Sequence, residues 1–544
     1  MPLLAMALLG TGVFLTLRLR FINVRGFVHA IRIVKGDFDD PDDPGDISHF
    51  QALTTALSAT VGVGNIAGVA TAIHYGGPGA LFWMWLTAAL GMTTKFTECT
   101  LALHYREQNS DGTVSGGPMY YIEKGLGSKP LAIVFASCAT ISSFGSGNAV
   151  QAHTMAHSLH SAFKMPTWIT GGVAAFIVAL VILGGIKRIG SFTSRIVPVM
   201  AVTYVIGAVT ILVIYAGEVP AAFASIITEA FTPSAAIGGF AGATMLFSLT
   251  WGIKRGLFSN EAGQGSAPIA HAAARTDIAV REGSVALLEP FIDTLTICTL
   301  TGLVIISTGV WKDKHETTLP FNKQSNISAV YARCGVDRDG KIAAGCALPK
   351  QSEHQLSGGK NDTLRFLVNH GIVDDGVVVG DGGEAVDAAL KVDATGALQL
   401  VGLDGKALPA KLKGRMLENG GPLTAMAFQR GLASLLPFGR ELVAICVLLF
   451  ALSTAIGWSY YGERSAHYLL RDRAVLPYKL IFVLMHFVGA VIPLEAVWSF
   501  GDAALGMMSL PNLLAILLLS GQVATLTHEY YSQPHTPFNK QTKG

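Results

Sequence analysis

Long apolar stretches separated by short polar connections make up most of the chain. An α-helix needs about 20 mainly apolar residues to cross a membrane. Windows of this kind predict eleven spanning helices, at residues 3–17, 51–74, 79–103, 131–152, 167–186, 193–216, 236–258, 285–311, 439–461, 478–493 and 511–528. The pattern therefore predicts an all-α polytopic membrane protein that lies in the lipid bilayer.

Composition supports this interpretation and excludes several classes of protein. The chain of 544 residues is 51% hydrophobic and 14% charged, with a net charge of +2, whereas soluble domains carry about 25% charged residues. These values exclude an ordinary cytosolic enzyme, a disordered regulator and a nucleic-acid-binding protein. A membrane-embedded enzyme is a weak alternative, because no nucleophile and base occur together in a recognisable motif.

Lysine and arginine residues predict the orientation of the helices. They concentrate in alternate connections, which is typical of the cytoplasmic side, and one of these connections also carries the acidic segment 37–46. We therefore expect a multi-pass plasma-membrane protein, in a bacterial inner membrane, with its N-terminus outside and its C-terminus in the cytoplasm.

One connection, residues 312–420, is much longer and more polar than the others. We expect it to form a small extracytoplasmic domain, whose partner the sequence does not indicate. Within it, residues 391–408 alternate in polarity around two turn signals and predict strand, turn and strand. Cys334 and Cys346 lie in this segment, where a disulfide and two free thiols are equally compatible with the sequence.

The first predicted helix break lies at Gly62-Val63-Gly64, in the middle of an apolar segment. Unpaired backbone groups are tolerated in a membrane only where they line a cavity or are buried in protein. The N–H groups of one half-helix can then bind an anion, and the carbonyl groups of the other a cation. Close helix packing through small residues explains this one glycine cluster equally well.

A second break is predicted in the span 236–258, where Gly252 and Gly256 flank Lys254 and Arg255 and are followed by Gly263 and Gly265. Paired breaks in two halves of a chain are typical of inverted-repeat transporters with a binding site at mid-membrane. Intramembrane cations are costly, so Lys254 and Arg255 are functional candidates. The alternative is that the span ends earlier and both side chains reach the cytoplasmic interface.

Three motifs resemble the alanine/glycine:cation symporter family. They are GDISHFQALTTALSATVGVGNIAGVA (45–70), GGPGALFWMWLTAALGM (76–92) and RGLFSNEAGQGSAP (255–268). The resemblance runs from about residue 3 to 311 and from about 421 to 528, so that 312–420 departs from the family pattern.

The resemblance implies a leucine-transporter-like 5+5 inverted-repeat core preceded by one extra span. We expect four parts on this basis: an N-terminal span and cytoplasmic connection, core spans one to seven, the insertion, and core spans eight to ten with the C-terminal tail. Their bounds are 1–47, 48–311, 312–420 and 421–544.

The resemblance also implies a sodium site between the first broken helix and the eighth core span. Its ligands would be the backbone at Ser58, Val61 and Ala451 and the hydroxyls of Ser453 and Thr454. The alternative for both hydroxyls is a hydrogen bond to the preceding helical turn.

The residues of the interrupted segment bear separately on the coupling ion. Residues 50–73 carry no Asp, Glu, Lys, Arg or His, which favours sodium over a proton as coupling ion. Glu98, Asp293 and Asp502 lie in or near other spans and leave proton coupling open.

The geometry of the two predicted helix breaks also predicts the substrate contacts. The carboxylate of an amino acid would meet N–H groups of the first break, and its ammonium group would face carbonyls of the second. Trp458, one helical turn after Thr454, would close the pocket, with interface anchoring or core packing as the alternative. Asn148 and Gln151 are weaker candidates. The full set of predicted substrate-binding residues is Gly62, Val63, Gly64, Asn65, Ile253, Gly256, Thr454 and Trp458.

Together these features predict a symporter, not an enzyme, that imports alanine or glycine with sodium by alternating access and needs no cofactor besides the coupling ion. A proton-coupled amino-acid transporter, or a channel or sensor on the same scaffold, is the alternative. A channel would show flux without stoichiometric coupling.

Overall fold

The structure is a computed structural model. It describes residues 2–109, 112–232, 245–321, 327–332, 352–358, 364–368, 371–380, 383–392, 398–402, 406, 408, 410–492, 494–535 and 537. Cys334 and Cys346, and with them the predicted disulfide, lie outside the described residues.

Helices account for most of the first half of the chain. They are α1 (Pro2–Arg18), α2 (Ile22–Arg25), α3 (Phe27–Val34), α4 (His49–Thr60), α5 (Val69–Gly76), α6 (Gly79–His104), α7 (Pro118–Leu126), α8 (Lys129–Phe144), α9 (Val150–Phe163), α10 (Thr167–Ile182), α11 (Gly185–Ile214) and α12 (Val219–Glu229). A short hairpin of β1 (Glu107–Gln108) and β2 (Val114–Ser115) follows α6. π-Helical turns at Gly64–Gly68 and Gly145–Ala149 lead into α5 and α9.

The second half contains further helices on either side of a β-rich insertion. Before it lie α13 (Met245–Asn260), α14 (Ala267–His271), α15 (Ala279–Ala286), α16 (Leu288–Pro290), a π-helical segment (Phe291–Cys298) and α17 (Thr299–Ser307). After it lie α18 (Gly420–Leu432), α19 (Gly439–Leu470), α20 (Asp472–Val491), α21 (Leu494–Leu518) and α22 (Ser520–Tyr531).

The chain is a mostly helical polytopic membrane protein. Among the described residues, five helices are long and apolar enough to cross a membrane, or seven if each of two bent pairs is one span. Large apolar side chains on α10 and α11 are exposed, among them Phe176, Leu180, Val202, Ile206 and Val213. Exposed apolar faces on long helices are suited to contact with lipid.

Fewer described helices than the eleven predicted windows have the length and apolarity of a span, since windows 3–17 and 167–186 correspond to the shorter helices Leu4–Arg18 and Thr167–Ile182. Other windows differ from the helices at their ends. The window 285–311 corresponds to a continuous span that begins at Ala279, and the window 131–152 is part of the 35-residue span Lys129–Phe163. Apolar periodicity missed these helix ends because their terminal turns carry charged or polar residues.

The helices form two packed groups. In one group, α6 packs against α13 and α15, and α13 packs against α5. In the other, α19 packs against α8 and α9, and α20 packs against α9 and α10. The half-helix α4 lies between the groups, in contact with α11 and α19. The two interrupted helices therefore meet the inner surface of α19.

The described residues of the insertion between α17 and α18 contain eight strands. They are β3 (Lys314–Phe321), β4 (Ile327–Ala332), β5 (Ser352–Leu356), β6 (Leu364–Val368), β7 (Gly371–Val379), β8 (Ala388–Val392), β9 (Leu398–Gly402) and β10 (Ala410–Leu417). One sheet has the order β3-β10-β7-β6-β4 and the other β5-β8-β9. Strands β8 and β9 pair antiparallel, which confirms the hairpin predicted within 391–408.

The insertion has a small hydrophobic core of its own, which includes Leu390, Leu400 and Leu412. Its first residues are tied to α18 by an ion pair of 2.5 Å between Arg430 Nη1 and Asp313 Oδ2. His74, near the end of α5, contacts the carbonyl oxygen of Glu418 at 3.0 Å. The insertion is therefore anchored next to the end of the first interrupted helix.

Candidate functional site

The first interrupted helix breaks at the predicted glycines. Ser48 starts α4 with a capping box, in which its side chain accepts from Gln51 N–H and its own N–H donates to the Gln51 side chain. The helix ends at Thr60, resumes at Gly64, and changes direction by 51° between the two halves. The predicted break at Gly62-Val63-Gly64 is confirmed.

The side chain of Asn65 holds this break in place. Its Oδ1 accepts from Gly62 N–H at 2.8 Å, and its Nδ2 donates to Asp293 Oδ1 at 2.5 Å and to Ser259 Oγ at 3.2 Å. Asp293 Oδ2 also accepts from Ser259 Oγ at 2.8 Å and from Thr294 Oγ1 at 2.6 Å. A buried carboxylate from another span is thus linked directly to the first break.

The second break lies later than predicted, so its predicted position is wrong. Helix α13 continues through Gly252 and Gly256 to Asn260. The chain then turns at Glu261, Gly263 and Gly265, which have positive φ angles of 54°, 84° and 80°. Glycine tolerates this backbone region readily, whereas a residue with a Cβ atom does so at a cost.

The two glycines inside α13 instead allow close helix packing. A Cβ atom at Gly256 would lie 3.2 Å from Met84 Cα, and one at Gly252 would lie 2.6 Å from Trp83 Cβ. Small residues permit such backbone approach between membrane helices. The packing alternative therefore holds for Gly252 and Gly256.

The two cations of this segment also lie inside the helix rather than after its end. Lys254 Nζ and Arg255 Cζ lie 5.3 Å and 5.5 Å from the ring centroid of Trp251. Arg255 is buried, and its guanidinium also lies 5.8 Å from the ring of Phe258. The helix itself continues past both cations to Asn260.

A small cavity lies where the two breaks meet α8–α9 and α19. The predicted residues Gly62, Gly64, Gln151 and Trp458 all line it. The remaining lining residues are Ala59, Thr60, Ser146, Phe258 and Glu261. The fold therefore brings both interrupted helices, the third core span and the tryptophan helix to one enclosed space.

Glu261 supplies a buried carboxyl group to this cavity. Trp458 Nε1 donates to Glu261 Oε1 at 3.0 Å, and Ser266 Oγ donates to Glu261 Oε2 at 2.5 Å. Trp458 is buried, and its ring lies so close to Gly147 that a Cβ atom there would overlap it. Trp458 therefore fixes Glu261 in position and closes one side of the cavity.

Ser453 and Thr454, the two predicted hydroxyl ligands, differ in their hydrogen bonding. Ser453 Oγ donates to Phe450 O at 2.9 Å, which is the local back-bond considered as its alternative, and lies 3.5 Å from Ser58 O. Thr454 Oγ1 is buried and has no hydrogen-bond partner among the described residues. It points toward the first break, because a Cβ atom at Gly62 would lie 2.5 Å from it.

The backbone residues predicted as ligands lie at the end of α4 and on α19. Val61, the first residue after α4, donates its N–H to Leu57 O at 2.7 Å. Ala451 is fully buried on α19, and Gly457 of the same helix faces Ser58, where its Cβ atom would lie 2.6 Å from Ser58 Oγ. Oxygen atoms of α4 and α19 therefore meet beside the cavity.

The other predicted substrate contacts lie in different places. Ile253 and Gly256 are within α13 and are not among the lining residues of the cavity. Val63 is buried at the start of the second half-helix. Asn148 hydrogen bonds to Phe482 O at 2.7 Å and to His486 Nδ1 at 2.6 Å, so its side chain joins α20.

Sequence reasoning missed Glu261, Phe258, Ser259 and Ser146 as site residues. Glu261 lies within the quoted motif RGLFSNEAGQGSAP, where an acidic residue among small and polar residues in an apolar region was the available signal. Gln151 was a weak candidate, yet its Oε1 is buried and has no hydrogen-bond partner in the described part of the chain. It is therefore available as an acceptor at the cavity.

The comparison with known families covers almost the whole chain. The sequence profile of the sodium:alanine symporter family matches residues 1–335 and 386–543. The departure from the family pattern expected over 312–420 is therefore too long, because only 336–385 falls outside the match.

Three similar proteins extend over nearly their full lengths. The sodium/alanine symporter AgcS of Methanococcus maripaludis is 38% identical, over 97% of this chain and 94% of that protein. An uncharacterized transporter of Haemophilus influenzae is 36% identical, over 98% and 93%. The amino-acid carrier protein AlsT of Bacillus subtilis is 30% identical, over 97% and 89%.

Proposed function

The chain belongs to the sodium:alanine symporter family and is a multi-pass amino-acid transporter, and we propose that it imports alanine or glycine together with sodium by alternating access. The observation that carries this proposal is the cavity between Gly62, Gly64, Gln151, Glu261 and Trp458. It joins both helix breaks and places a carboxylate opposite the start of a half-helix.

The substrate is a small zwitterion in this proposal. Its carboxylate faces the N–H groups at the start of the half-helix after Gly62, where helical N–H groups lack intrahelical acceptors and the helix dipole favours an anion. Its ammonium group faces Glu261 and Gln151 Oε1. Glu261 replaces the α13 carbonyls of Ile253 and Gly256 in this role, because Glu261 lines the cavity and they do not.

Sodium binds next to the substrate, between the end of α4 and α19. The proposed ligands are the carbonyl oxygens of Ser58, Val61 and Ala451 and the hydroxyls of Ser453 and Thr454. The unpaired Thr454 Oγ1 and the short separation of Ser453 from Ser58 O support this assignment. Neutral oxygen ligands suit a hard cation.

The helix packing supports a 5+5 inverted repeat after α1. The interrupted helices of α4–α5 and α13–α14 begin the two repeats, and α8–α9 and α19 occupy the third place in each and pack together. We propose that the N-terminus lies outside, the C-terminus in the cytoplasm and the insertion outside, as the positive-inside pattern indicates.

Proton coupling is the second candidate, and Glu261 is the observation that favours it. A buried carboxylate in a transport cavity is a typical proton-binding group of membrane carriers. Glu261 is buried and accepts two hydrogen bonds, from Trp458 and Ser266. A protonated carboxyl group keeps acceptor capacity on both oxygens, so these two hydrogen bonds are compatible with either protonation state of Glu261.

Labelled alanine uptake into proteoliposomes, under an imposed sodium or proton gradient, tests the function. We expect accumulation with an inward sodium gradient and little with a proton gradient alone. An inside-negative potential should increase accumulation, because each inward charge gains about 2.3 kcal/mol per 100 mV. Equal uptake in the absence of any gradient would contradict symport and favour a channel.

A hydroxyl deletion locates the sodium site. In Thr454→Ala we expect the apparent sodium affinity to fall about tenfold, because one ligand oxygen is lost. The control is Ser465→Ala on the same helix, whose hydroxyl donates to Tyr461 O at 2.9 Å. Unchanged sodium affinity in the folded Thr454 variant would remove this residue from the site.

A further inference from the structure

A continuous ladder of charged side chains runs through the interior beside the transport cavity. Lys95 Nζ contacts Glu289 Oε2 at 3.1 Å, and Glu289 Oε1 contacts His271 Nε2 at 2.7 Å. His271 Nδ1 contacts Glu282 Oε1 at 2.5 Å, and Glu282 Oε2 contacts His49 Nδ1. All five side chains are buried and come from α4, α6, α14, α15 and α16.

The ladder ends at His49, the first residue of α4, whose buried Nε2 faces the exposed residue Asp39. His49 Nε2 lies 3.9 Å from Asp39 Oδ1, and Asp39 is 45% exposed. Asp39 belongs to the acidic segment 37–46, which the proposed transport site does not involve. Ion pairs between Arg32 and Asp37, at 3.0 Å, and between Arg281 and Asp43, at 4.0 Å, hold this segment over the ladder.

Each contact between a ring nitrogen and a carboxylate oxygen in the ladder needs one proton, and these protons can be counted. An ionised carboxylate only accepts hydrogen bonds, and a neutral imidazole carries one N–H. His271 meets a carboxylate at each ring nitrogen, so one proton beyond the neutral imidazole is required between Glu282, His271 and Glu289. His49 needs a proton on Nδ1 to bond to Glu282, and a second one on Nε2 would place a cation between two carboxylates.

The surrounding charged and titratable groups come from every packed element. Helix α6 contributes Lys95, Glu98 and Cys99. Arg106, two residues after the end of α6, donates to the carbonyl oxygens of Ala272 and Ala274 at 3.1 Å and 2.7 Å. Glu261 lies near Lys95 and Tyr461 of α19 near Glu289. Tyr531 of α22 hydrogen bonds to Ser284 at 3.0 Å.

We propose that His49, between Glu282 and Asp39, is a binding site for a cytoplasmic proton that fastens the inner end of α4. The proton arrives from the cytoplasm at His49 Nε2, while Nδ1–H remains bonded to Glu282. The imidazolium then attracts both carboxylates through charge-assisted hydrogen bonding and ion pairing. His271 acts as a positioning residue, because its Nδ1 holds the other oxygen of Glu282.

This inference rests on the proposed alternating access and on a movement of the inner end of α4 away from α14, α15 and α16, against which it packs. When the inner end of α4 moves away, His49 leaves both carboxylates and gives its proton back to the cytoplasm. A protonated His49 therefore slows inner opening, and a neutral one permits it. Transport is then controlled by cytoplasmic pH, separately from the coupling ion.

Sodium-driven alanine uptake, with equal pH on both sides between 5.5 and 8.5, tests the proton site. We expect wild-type initial rates to rise severalfold as the pH increases. His49→Gln, which keeps a polar side chain beside Glu282, should give rates that vary less than twofold across this range. His49→Lys, with a permanent positive charge, should be slow at every pH, about tenfold below the highest wild-type rate.

Two further measurements separate this role from a purely structural one. Asp42→Asn removes an exposed carboxylate from the same acidic segment and should keep the wild-type pH profile. Stabilisation by added alanine and sodium should persist in His49→Lys, because its cavity is intact. The proposal is overturned if His49→Gln keeps the wild-type pH profile. It is also overturned if each His49 variant lowers the rate by a factor that does not change with pH.

Failure of the proposed function gives a different result. Wild-type protein would then show no sodium-dependent uptake at any pH. The proton site is still tested in that case by thermal unfolding of the purified chain. The midpoint difference between wild type and His49→Gln should change between pH 5.5 and 8.5 if the site binds a proton, and a constant difference would overturn it.

Discussion

The helix breaks after Thr60 and after Asn260 lie in two helices that pack against each other, yet they differ in charge and in backbone. The first break is formed by neutral residues around Gly62, whose N–H donates to the Asn65 side chain. The second begins at Glu261, a charged residue with a positive φ of 54°. One break provides backbone dipoles, and the other provides a full negative charge.

The difference shows that charge at a site need not come from the segment that forms the site. The first break contains no titratable residue between 50 and 73, but Asn65 links it to Asp293 of a distant span. Glu261 lies with Gly62 on the same cavity. A neutral break and a charged break together can hold both ends of a zwitterion, which neither could do alone.

The largest expected effect comes from adding one methyl group to the neutral break. A Cβ atom at Gly62 would lie 2.5 Å from Thr454 Oγ1 and 3.5 Å from Gln151 Oε1. Overpacking of this kind costs about 1–3 kcal/mol, and here it falls on the proposed sodium and substrate contacts. We expect Gly62→Ala to lower the initial rate of alanine uptake about 100-fold.

The control for this variant is Gly172→Ala on α10. No described atom lies within 4 Å of a Cβ atom at Gly172, so uptake should match the wild type. Both variants should elute from size exclusion as the wild type does. Uptake by Gly62→Ala at half the wild-type rate or more would show that the neutral break tolerates a side chain and is not the binding surface.

The second prediction removes the charge from the other break while keeping its volume. Glu261→Gln can still accept from Trp458 Nε1 and bond to Ser266, so only the charge is lost. We expect the apparent affinity for alanine to fall about 30-fold, which corresponds to about 2 kcal/mol. The measurement is the concentration dependence of uptake at saturating sodium.

Glu218→Gln is the matched control, because Glu218 is an exposed carboxylate in the connection before α12. Its affinity for alanine should equal that of the wild type. If Glu261→Gln kept wild-type affinity, the ammonium group would have to bind elsewhere. The second break would then not bind the substrate through its carboxyl group.

The sequence predicts local features of the two breaks better than it predicts their contacts. Gly62 and Gly64 locate the first break because glycine weakens a helix wherever it occurs. The same reasoning failed for Gly252 and Gly256. There glycine is needed for close packing against α6, and the helix continues without a break. The position of Glu261 could not be derived, since left-handed turns depend on the surrounding fold.

Contacts between distant spans were predicted only through the family resemblance. Residues of the eighth core span, such as Thr454 and Trp458, lie about 390 positions from the first break, and periodicity alone does not pair them. The hydrogen bond of Ser453 to Phe450 O, by contrast, is a local interaction, and the sequence alone predicts it as an alternative. Long-range polar pairs such as Asn65 with Asp293 had no comparable local signal.

The smallest expected effect comes from Trp458, which connects the charged break to α19. In Trp458→Phe the aromatic packing against Gly147 is largely kept, but the hydrogen bond to Glu261 Oε1 is lost. A hydrogen bond contributes a net of about 0.5–1.5 kcal/mol, and water can replace part of it in the space that a smaller ring leaves. We therefore expect alanine affinity to fall about fivefold, measured by uptake against concentration. Trp168→Phe, on an exposed tryptophan of α10, is the control and should leave affinity unchanged. A loss as large as that of Glu261→Gln would mean that Trp458 binds substrate itself rather than acting through the carboxylate.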